Sequence, residues 1–584
     1  MAAGLLLAMT FAAYWPVKNA GIIWDDDEYI IDNPTLLDPS GIWRIWFDLR
    51  SSHEYYPLVY TTFWLEYSLT ETDLNLPVSH SLNVVLHALC AVVLWRVLKR
   101  LGTGGAWFAA AVFAVHPVAV ESVAWLVERK NTLSLLMALL SLLMFLRFED
   151  AVEGDVVPAA AAEGDPLPAR GDRRSFHPVP YLAALGLFAL ALTAKTAVAM
   201  LPVVVLLLAW WRRGRFRRAD VVRMVPFFIV AVALGLITVL VESRFNIGSG
   251  TPRPEGPWSR LVAAGWCIWF YLAKSVWPVG LSMIYTRWNV SPATAVSWVP
   301  LAGLLALFLI TWSRRSAWAR PVVAALLTFV VLILPVLGTV DIAYFQHSIV
   351  ADHFQYFALI SPVCLGAAAA AGFVGRLAPS PARRILTVGG AVAVLVVLSC
   401  LTWHRGALYV NSTDLWFDAV RKNPLSWAAH FNLGNDLLDD GRFAEAAAHY
   451  RQSLSIHYLN SRGHNNLAAL LAKQGKNEEA IMHMREAVRL RPADAGLRTS
   501  LGRLLARGAK LEAAIKNFRK AIGIDPDHVQ AHFLLGAALM KVGRPDEAVD
   551  ELRRALELNP DFDRARRYLE TAQKKVARKR KDAS

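Results

Sequence analysis

Residues 385–403, ILTVGGAVAVLVVLSCLTW, contain no charged side chain, and their reading decides the fold class of the whole chain. A helix needs about 20 predominantly apolar residues to cross the hydrocarbon of a bilayer, so this run is expected to span one. Working outward toward the N-terminus, comparable runs lie near 1–17, 80–98, 104–127, 131–147, 178–194, 196–211, 222–241, 258–280, 297–312, 320–340 and 357–376. With 55% hydrophobic residues and a mean hydropathy of +0.36, the 584-residue chain is too apolar for a soluble multidomain protein. The first run lacks a basic leader and a small-residue cleavage site and leads straight into Trp24-Asp25-Asp26-Asp27-Glu28, so it is read as an anchor.

Working outward in the other direction, the composition changes after residue 403. Pro492, Pro526 and Pro560 stand 34 residues apart, the tetratricopeptide period, and the same step back reaches Tyr458 and Pro424. Ala446, Ala480, Ala514 and Ala548 keep that register, as do Gly434, Gly502 and Gly536, with Ala468 in the second repeat. Small residues let the two helices of a hairpin approach, and proline ends the second helix. The expected fold is therefore all-α: a polytopic membrane helix bundle over 1–405, a linking helix over 406–426, an α-solenoid of four repeats over 427–562, and a capping helix with a basic tail over 563–584. Asn432 and Asn466, equivalent positions in successive repeats, are candidates for hydrogen-bonding a peptide backbone in the groove.

Charge predicts orientation. Lys99-Arg100, the 147–177 segment with Arg147, Arg170, Arg173 and Arg174, the cluster from Arg212 to Arg218, Arg314-Arg315 with Arg320, and Arg376 with Arg383-Arg384 all separate apolar runs, and cytoplasmic loops favour such residues. The net charge of +14 is thus explained by topology, and no nucleic-acid partner is expected. Three runs separate the clusters at 212–218 and 314–320, an odd number, so one run does not cross. The 258–280 run, with Lys274, Trp266, Trp269, Trp277 and Pro278, has an interfacial composition and is the choice. Eleven crossings put the repeats outside, on the periplasmic side if the membrane is a bacterial inner membrane. The 150–177 stretch reads as a disordered cytoplasmic loop.

Ionisable residues at a membrane are functional candidates by default. In this topology they gather at the outer face: Asp25, Asp26, Asp27 and Glu28, then His53 and Glu54 in the outer loop 18–79, then His116, Glu121, Glu128, Arg129 and Lys130, then Lys195, then Asp341, His347, Asp352 and His353. Carboxylates beside cations suit a reaction that deprotonates a hydroxyl while holding an anionic leaving group. His87, on a mid-membrane apolar face, reads as a packed histidine instead. Clustered aspartates could bind Mg²⁺ or Mn²⁺, although nothing in the sequence requires a metal. The four cysteines, Cys90, Cys267, Cys364 and Cys400, show no metal-ligand spacing.

Trp24-Asp25-Asp26 with Asn33-Pro34, His53 through Leu58, Asn83 to His87, Phe113-Ala114-Val115-His116-Pro117 with Glu121 and Arg129, Ala194-Lys195, and Val350-Ala351-Asp352-His353 with Tyr356 follow one another in a set order. In that order the chain resembles the transmembrane and tetratricopeptide-repeat O-mannosyltransferase family and its bacterial relatives, among the C-type glycosyltransferases. The resemblance implies inverting transfer of a sugar, mannose in the namesake family, from a polyprenyl-phosphate carrier to a hydroxyl acceptor, protein Ser/Thr, on the non-cytoplasmic face. It implies Asp25 or Asp26 as general base, and Arg129, Lys130, Lys195 and His353 as ligands of the donor phosphate. His53, Glu54, His116, Glu121 and Asp352 would support them. Tyr56 and Asp352-His353 depart from an arginine and a Glu-Arg pair of the family pattern. Two other classes are compatible with parts of the pattern: a non-catalytic scaffold whose repeats recruit envelope or glycan-assembly partners, and a lipid-sugar transporter, which wants polar residues spread through the membrane thickness and fits least.

Overall fold

The computed structural model describes residues 1–50, 54–70, 74–154, 178–245, 255–316, 318–338, 342–376 and 380–583. Every regular element among them is a helix. Contacts divide the chain into two compact units, Met1–Asn423 and Pro424–Ser584. Most of the loop expected at 150–177, together with His53 and Asp341, lies outside the described residues.

In the first unit the apolar runs become helices that break at polar residues. Leu76–Arg100 begins where the Asn75 side chain accepts the Val78 amide, with proline in its first turn, and ends with Lys99 and Arg100 beside its exposed carbonyls. The 104–127 run splits into Ala106–Ala114 and Pro117–Ala124, bent by 49° at His116. Pro117 has no amide hydrogen to continue the first helix, and His116 Nδ1 accepts the Val118 amide at 3.4 Å instead. Arg129–Gly154 packs along Pro178–Ala194, after which Lys195 is extended, with φ −163° and ψ 127°. By length and composition, five helices among the described residues can cross a membrane, or six with the bent pair, against the eleven crossings expected. Four further apolar helices, Ala2–Ala13, Pro178–Ala194, Arg320–Val336 and Ile360–Arg376, are shorter. Pro257–Val276, the run read as non-crossing, is not among the five. Its Trp266 and Trp269 indoles donate to the Ser297 and Pro300 carbonyls of the neighbouring helix at 3.2 and 2.9 Å.

Within the stretch expected as a linker, helix Ser412–Lys422 belongs to the first unit. Arg405 reaches Asp418 at 3.4 Å, and Lys422 donates to the Leu281 carbonyl at 2.6 Å.

The second unit is four helix pairs and a final helix, Asp563–Ala583. The pairs are Trp427–Asp439 with Phe443–Ile456, Ser461–Lys473 with Asn477–Leu490, Ala495–Arg507 with Leu511–Ile524, and Val529–Lys541 with Pro545–Leu558. Glycine register follows from close approach. A Cβ on Gly434, Gly502 or Gly536 would lie 2.8, 2.5 or 2.6 Å from Tyr450, Phe518 or Leu552 of the partner helix. The repeats are joined by a second device that the sequence did not disclose. His430, His464, Arg498, His532 and Arg566 donate to the carbonyls of Pro424, Tyr458, Pro492, Pro526 and Pro560, six residues before each. The acceptor is backbone, which explains why Tyr458 can replace proline without losing the joint.

Gly502→Ala is expected to destabilise the protein by about 1–3 kcal/mol through overpacking against Phe518. Gly523→Ala, in a helix position with open space around the added carbon, is expected to stabilise by up to about 1 kcal/mol. Thermal unfolding of the two variants, followed by circular dichroism, should give shifts of opposite sign.

Candidate functional site

The residues that follow the first apolar run are set by a strained tryptophan. Trp24 adopts φ 56°, a left-handed backbone that bulky residues avoid. Packing holds it there: its ring stacks on Trp125 at 5.8 Å and meets Trp416 and His347 edge-on at 5.5 and 5.0 Å. The two aspartates that follow have different surroundings. Asp26 is fully buried, and its Oδ2 and Oδ1 accept the Ile23 and Val127 amides at 3.0 and 2.9 Å. Both oxygens are engaged by backbone. Asp25 Oδ1 is buried with no hydrogen-bond partner among the described residues.

Asp25 faces a chain of alternating charge. Lys130 Nζ lies 3.3 Å from Glu54 Oε2 and 3.4 Å from Glu128 Oε1, and Lys195 Nζ lies 3.3 Å from Glu128 Oε2. Asn131 Nδ2 donates to Glu128 Oε2 at 2.5 Å and to Ser122 Oγ at 3.0 Å. Burial raises the Asp25 carboxyl from its ordinary value to about 7, against the attraction of Lys130 and with the repulsion of Glu54. Burial also raises Asp26, helped by Asp25 and opposed by the two amides. For Glu128 burial works upward too, but Lys195 and Lys130 outweigh it and hold the carboxyl at about 2. Burial lowers Lys195, opposed by Glu128. The result is one carboxyl poised near neutrality beside a permanently ionised one, a division suited to proton transfer.

A second cluster adjoins the first through Trp125 and His353, whose rings meet at 5.7 Å. His353 Nδ1 lies 2.6 Å from Glu121 Oε1, and the Tyr285 hydroxyl donates to Asp352 Oδ1 at 2.7 Å. Glu121 Oε2 and Asp352 Oδ2 are buried with no hydrogen-bond partner among the described residues. Burial, and then Glu121, push Asp352 to about 7, while Arg405 pulls it down.

The structure brings together most of the residues singled out in the sequence and gives several a different setting. Arg129, expected to hold a phosphate, is fully buried. Its Nε donates to Asn83 at 2.7 Å, its Nη atoms to Thr62 and the Ser79 carbonyl at 3.0 and 3.1 Å and to Glu66, and its guanidinium lies 3.8 Å over Phe63. Those donors are committed to tying helices together and are not turned toward Asp25. His116 bonds the Ser275 carbonyl at 3.2 Å and the Val118 amide, a corner brace distinct from both clusters. His87 is bonded to Tyr356 and to the Ala114 carbonyl, at 2.7 and 3.1 Å. In the repeats, Asn466 donates to Asn435 at 3.0 Å, and Tyr450 donates to the same Asn435 oxygen at 2.8 Å. Asn432 is half-buried on the helix that carries Asn435.

Sequence reasoning missed Glu66, Tyr285, Arg405 and the Trp24–Trp125 stack, because each gains its role from a partner distant in the chain. Arg405, two residues past the end of the 385–403 run, carried the only available signal. Mg²⁺ or Mn²⁺ does not fit the cluster: the Lys130 ammonium already sits between Glu54 and Glu128, where a dication would have to be. Among the described residues no three His, Cys, Asp or Glu side chains converge as metal ligands.

Two tetratricopeptide-repeat family models match the chain, one over 504–572 and one over 417–456 and 431–495. The human protein O-mannosyl-transferase TMTC3 is 32% identical over 154 residues, 24% of this chain and 16% of that protein. The mouse protein O-mannosyl-transferase TMTC1 is 23% identical over 556 residues, 78% of this chain and 58% of that protein. The chain therefore spans less than two thirds of the length of these relatives, 16% of one and 58% of the other. The likeness to the crystal structure of MamA, at a TM-score of 0.25 and 20% identity over 26% of this chain and 84% of that one, carries no argument.

Arg129→Met is expected to cost about 2–4 kcal/mol, because it removes a fully buried guanidinium from its bonds to Asn83, Thr62, the Ser79 carbonyl and the half-buried Glu66. Lys195→Met, at the rim of the cluster, should cost far less. Thermal denaturation of both variants in the same detergent measures the difference.

Proposed function

We propose that the chain is a membrane glycosyltransferase that moves a sugar, mannose by likeness to its relatives, from a polyprenyl-phosphate carrier to a Ser/Thr hydroxyl of a protein on the non-cytoplasmic face. The observation that carries this reading is the Asp25 carboxyl, whose Oδ1 is buried and unpartnered among the described residues and which is raised to about 7 in the field of Lys130. Asp25, and not Asp26, is the base: the acceptor hydroxyl gives its proton to Asp25 as its oxygen attacks the anomeric carbon, and the bond from that carbon to the phosphate oxygen breaks with inversion. Lys130 and Lys195 take the charge that develops on the departing phosphate, which is the largest single contribution such sites make. Arg129 keeps Lys130 placed through its hold on the start of the helix they share.

A lipid carrier is supported by an apolar groove lined by Leu94, Leu98, Leu135, Leu139, Val198 and Trp211, among others. Val198 is three residues from Lys195, so the groove starts near the cations and suits a prenyl chain whose phosphate rests on them. The repeats recruit the acceptor. The scaffold reading has one observation in its favour, that the repeats alone are matched by family models.

Purified protein with polyprenyl-phosphate mannose and acceptor peptides should transfer sugar, and Asp25→Asn should lower the rate by about 10²–10⁴-fold without loss of fold. Because the base must be ionised, the wild-type rate should rise with pH through about 7 and fall away below it. An Asp25→Asn protein that is folded and transfers at the wild-type rate would leave the scaffold reading in place.

A further inference from the structure

The end of the apolar groove remote from Lys195 carries charge that the proposed transfer does not use. The groove follows the chain from Val198 to Trp211, the last turn of the helix Leu201–Arg213, and is lined there by Leu101, Pro321 and Ala325 as well. At 1.5 Å per helical residue that stretch is about 20 Å long, some two thirds of the ~30 Å of hydrocarbon in a bilayer. Its wall is aliphatic, and the Ser361 hydroxyl on it is spent on the Ala325 carbonyl at 2.7 Å.

At the Trp211 end, helix termini meet and each brings cations. Leu76–Arg100 ends on Lys99 and Arg100 just before Leu101, Leu201–Arg213 ends on Arg212 and Arg213 just after Trp211, and Arg320 starts its helix just before Pro321. Trp210 stacks on Trp312 at 5.7 Å and ties a further helix end to them. Some of these charges are balanced: Arg100 pairs with Asp150 at 2.7 Å, and Arg213 with Asp220 at 2.6 Å and Glu149 at 3.6 Å. Arg212 is exposed and Arg320 half-buried, and neither has a carboxylate partner among the described residues. The Arg320 guanidinium nevertheless lies over Gly214, where an added Cβ would be 3.2 Å from its Nη1, so it stands against the residue between Arg213 and Arg215. The carbonyl end of Leu201–Arg213 offers only about half a negative charge. Arg212, Arg213, Arg215 and Arg320 outweigh that half charge, Asp220 and Glu149 together, and like charges so crowded repel unless an anion joins them.

We propose that this end of the groove binds one anionic phospholipid, its phosphate on Arg212 and Arg320 and one acyl chain along Trp211, Pro321 and Ala325. Arg212 and Pro321's neighbour Arg320 bracket the groove end, and guanidinium forks match the oxygens of a phosphate. Basic pockets between membrane helices take such head groups. A chain entering from one leaflet reaches about half of the hydrocarbon thickness, which leaves the Val198 end to a prenyl tail. The site is independent of the role of Asp25 and is read without any transfer assay.

The full chain, stripped of lipid in a non-ionic detergent and titrated with dioleoyl phosphatidylglycerol or dioleoyl phosphatidylcholine, should by native mass spectrometry bind one phosphatidylglycerol about tenfold more tightly than phosphatidylcholine. Arg212→Gln/Arg320→Gln should abolish that preference, whereas Arg485→Gln/Arg491→Gln, which removes the same charge from exposed positions of the repeats, should keep it. Ala325→Phe, which fills the groove and leaves both arginines, should also weaken phosphatidylglycerol binding, and glycerol phosphate, the head group without chains, should not displace the lipid. One affinity for both lipids, an unchanged preference in the Arg212→Gln/Arg320→Gln variant, an equal loss in the two double variants, full affinity in Ala325→Phe, or displacement by glycerol phosphate overturns the proposal. Circular dichroism checks that the variants remain helical, and if Arg212→Gln/Arg320→Gln unfolds, Arg212→Gln alone, at an exposed position, is read by the same criteria.

Discussion

The arrangement of the candidate site depends on one carboxylate whose two oxygens are both held by backbone amides. Asp26 joins the amide of Ile23, in its own loop, to the amide of Val127, a hundred residues on. A buried carboxylate is costly unless hydrogen bonds compensate it, and two backbone donors do so here. The staple draws the first loop against the turn that carries Glu128, Arg129 and Lys130. It also brings Trp24 onto Trp125, and that contact holds the left-handed backbone that sets Asp25 apart from its neighbour. Asp25 is left with an unpartnered Oδ1 in the field of Lys130, whereas both oxygens of Asp26 are taken up by amides.

Three consecutive residues show how finely that turn is divided. Glu128 bridges two lysines, Arg129 ties the helix to Glu66 and Asn83, and Lys130 closes on Glu54. Side chains at the start of a helix leave in directions about 100° apart, so one turn can serve both the scaffold and the site. Glu54 and Glu128 balance Lys130 and Lys195, and with Asp25 protonated the group is neutral.

The solenoid was legible because its signals are local and periodic: Ala446, Ala480, Ala514 and Ala548 are all fully buried at the positions their spacing required. Membrane character was legible from composition. The break at His116 was not, since it interrupts the 104–127 run, whose mean hydropathy is hardly changed by one polar residue; the break at Lys195 coincides with the gap between the 178–194 and 196–211 runs. Of the site, the acidic pair and the cations near Lys130 could be named in advance because charge in an apolar chain is conspicuous. Which aspartate is free, and that Arg129 is spent on Glu66, could not, because both depend on hydrogen bonds between residues about 50 to 100 positions apart. Tyr285 and Arg405 were hidden for the same reason.

The joint between successive repeats is made to a carbonyl oxygen, an atom every amino acid possesses. The receiving position therefore carries no spelling constraint of its own; Tyr458 occupies it as readily as proline, and the burden of identity falls on the side chain that reaches for it. A polymer assembled by such rules can change its letters at the seams while keeping its pitch, which makes the array a ruler whose graduations survive the wear of its markings.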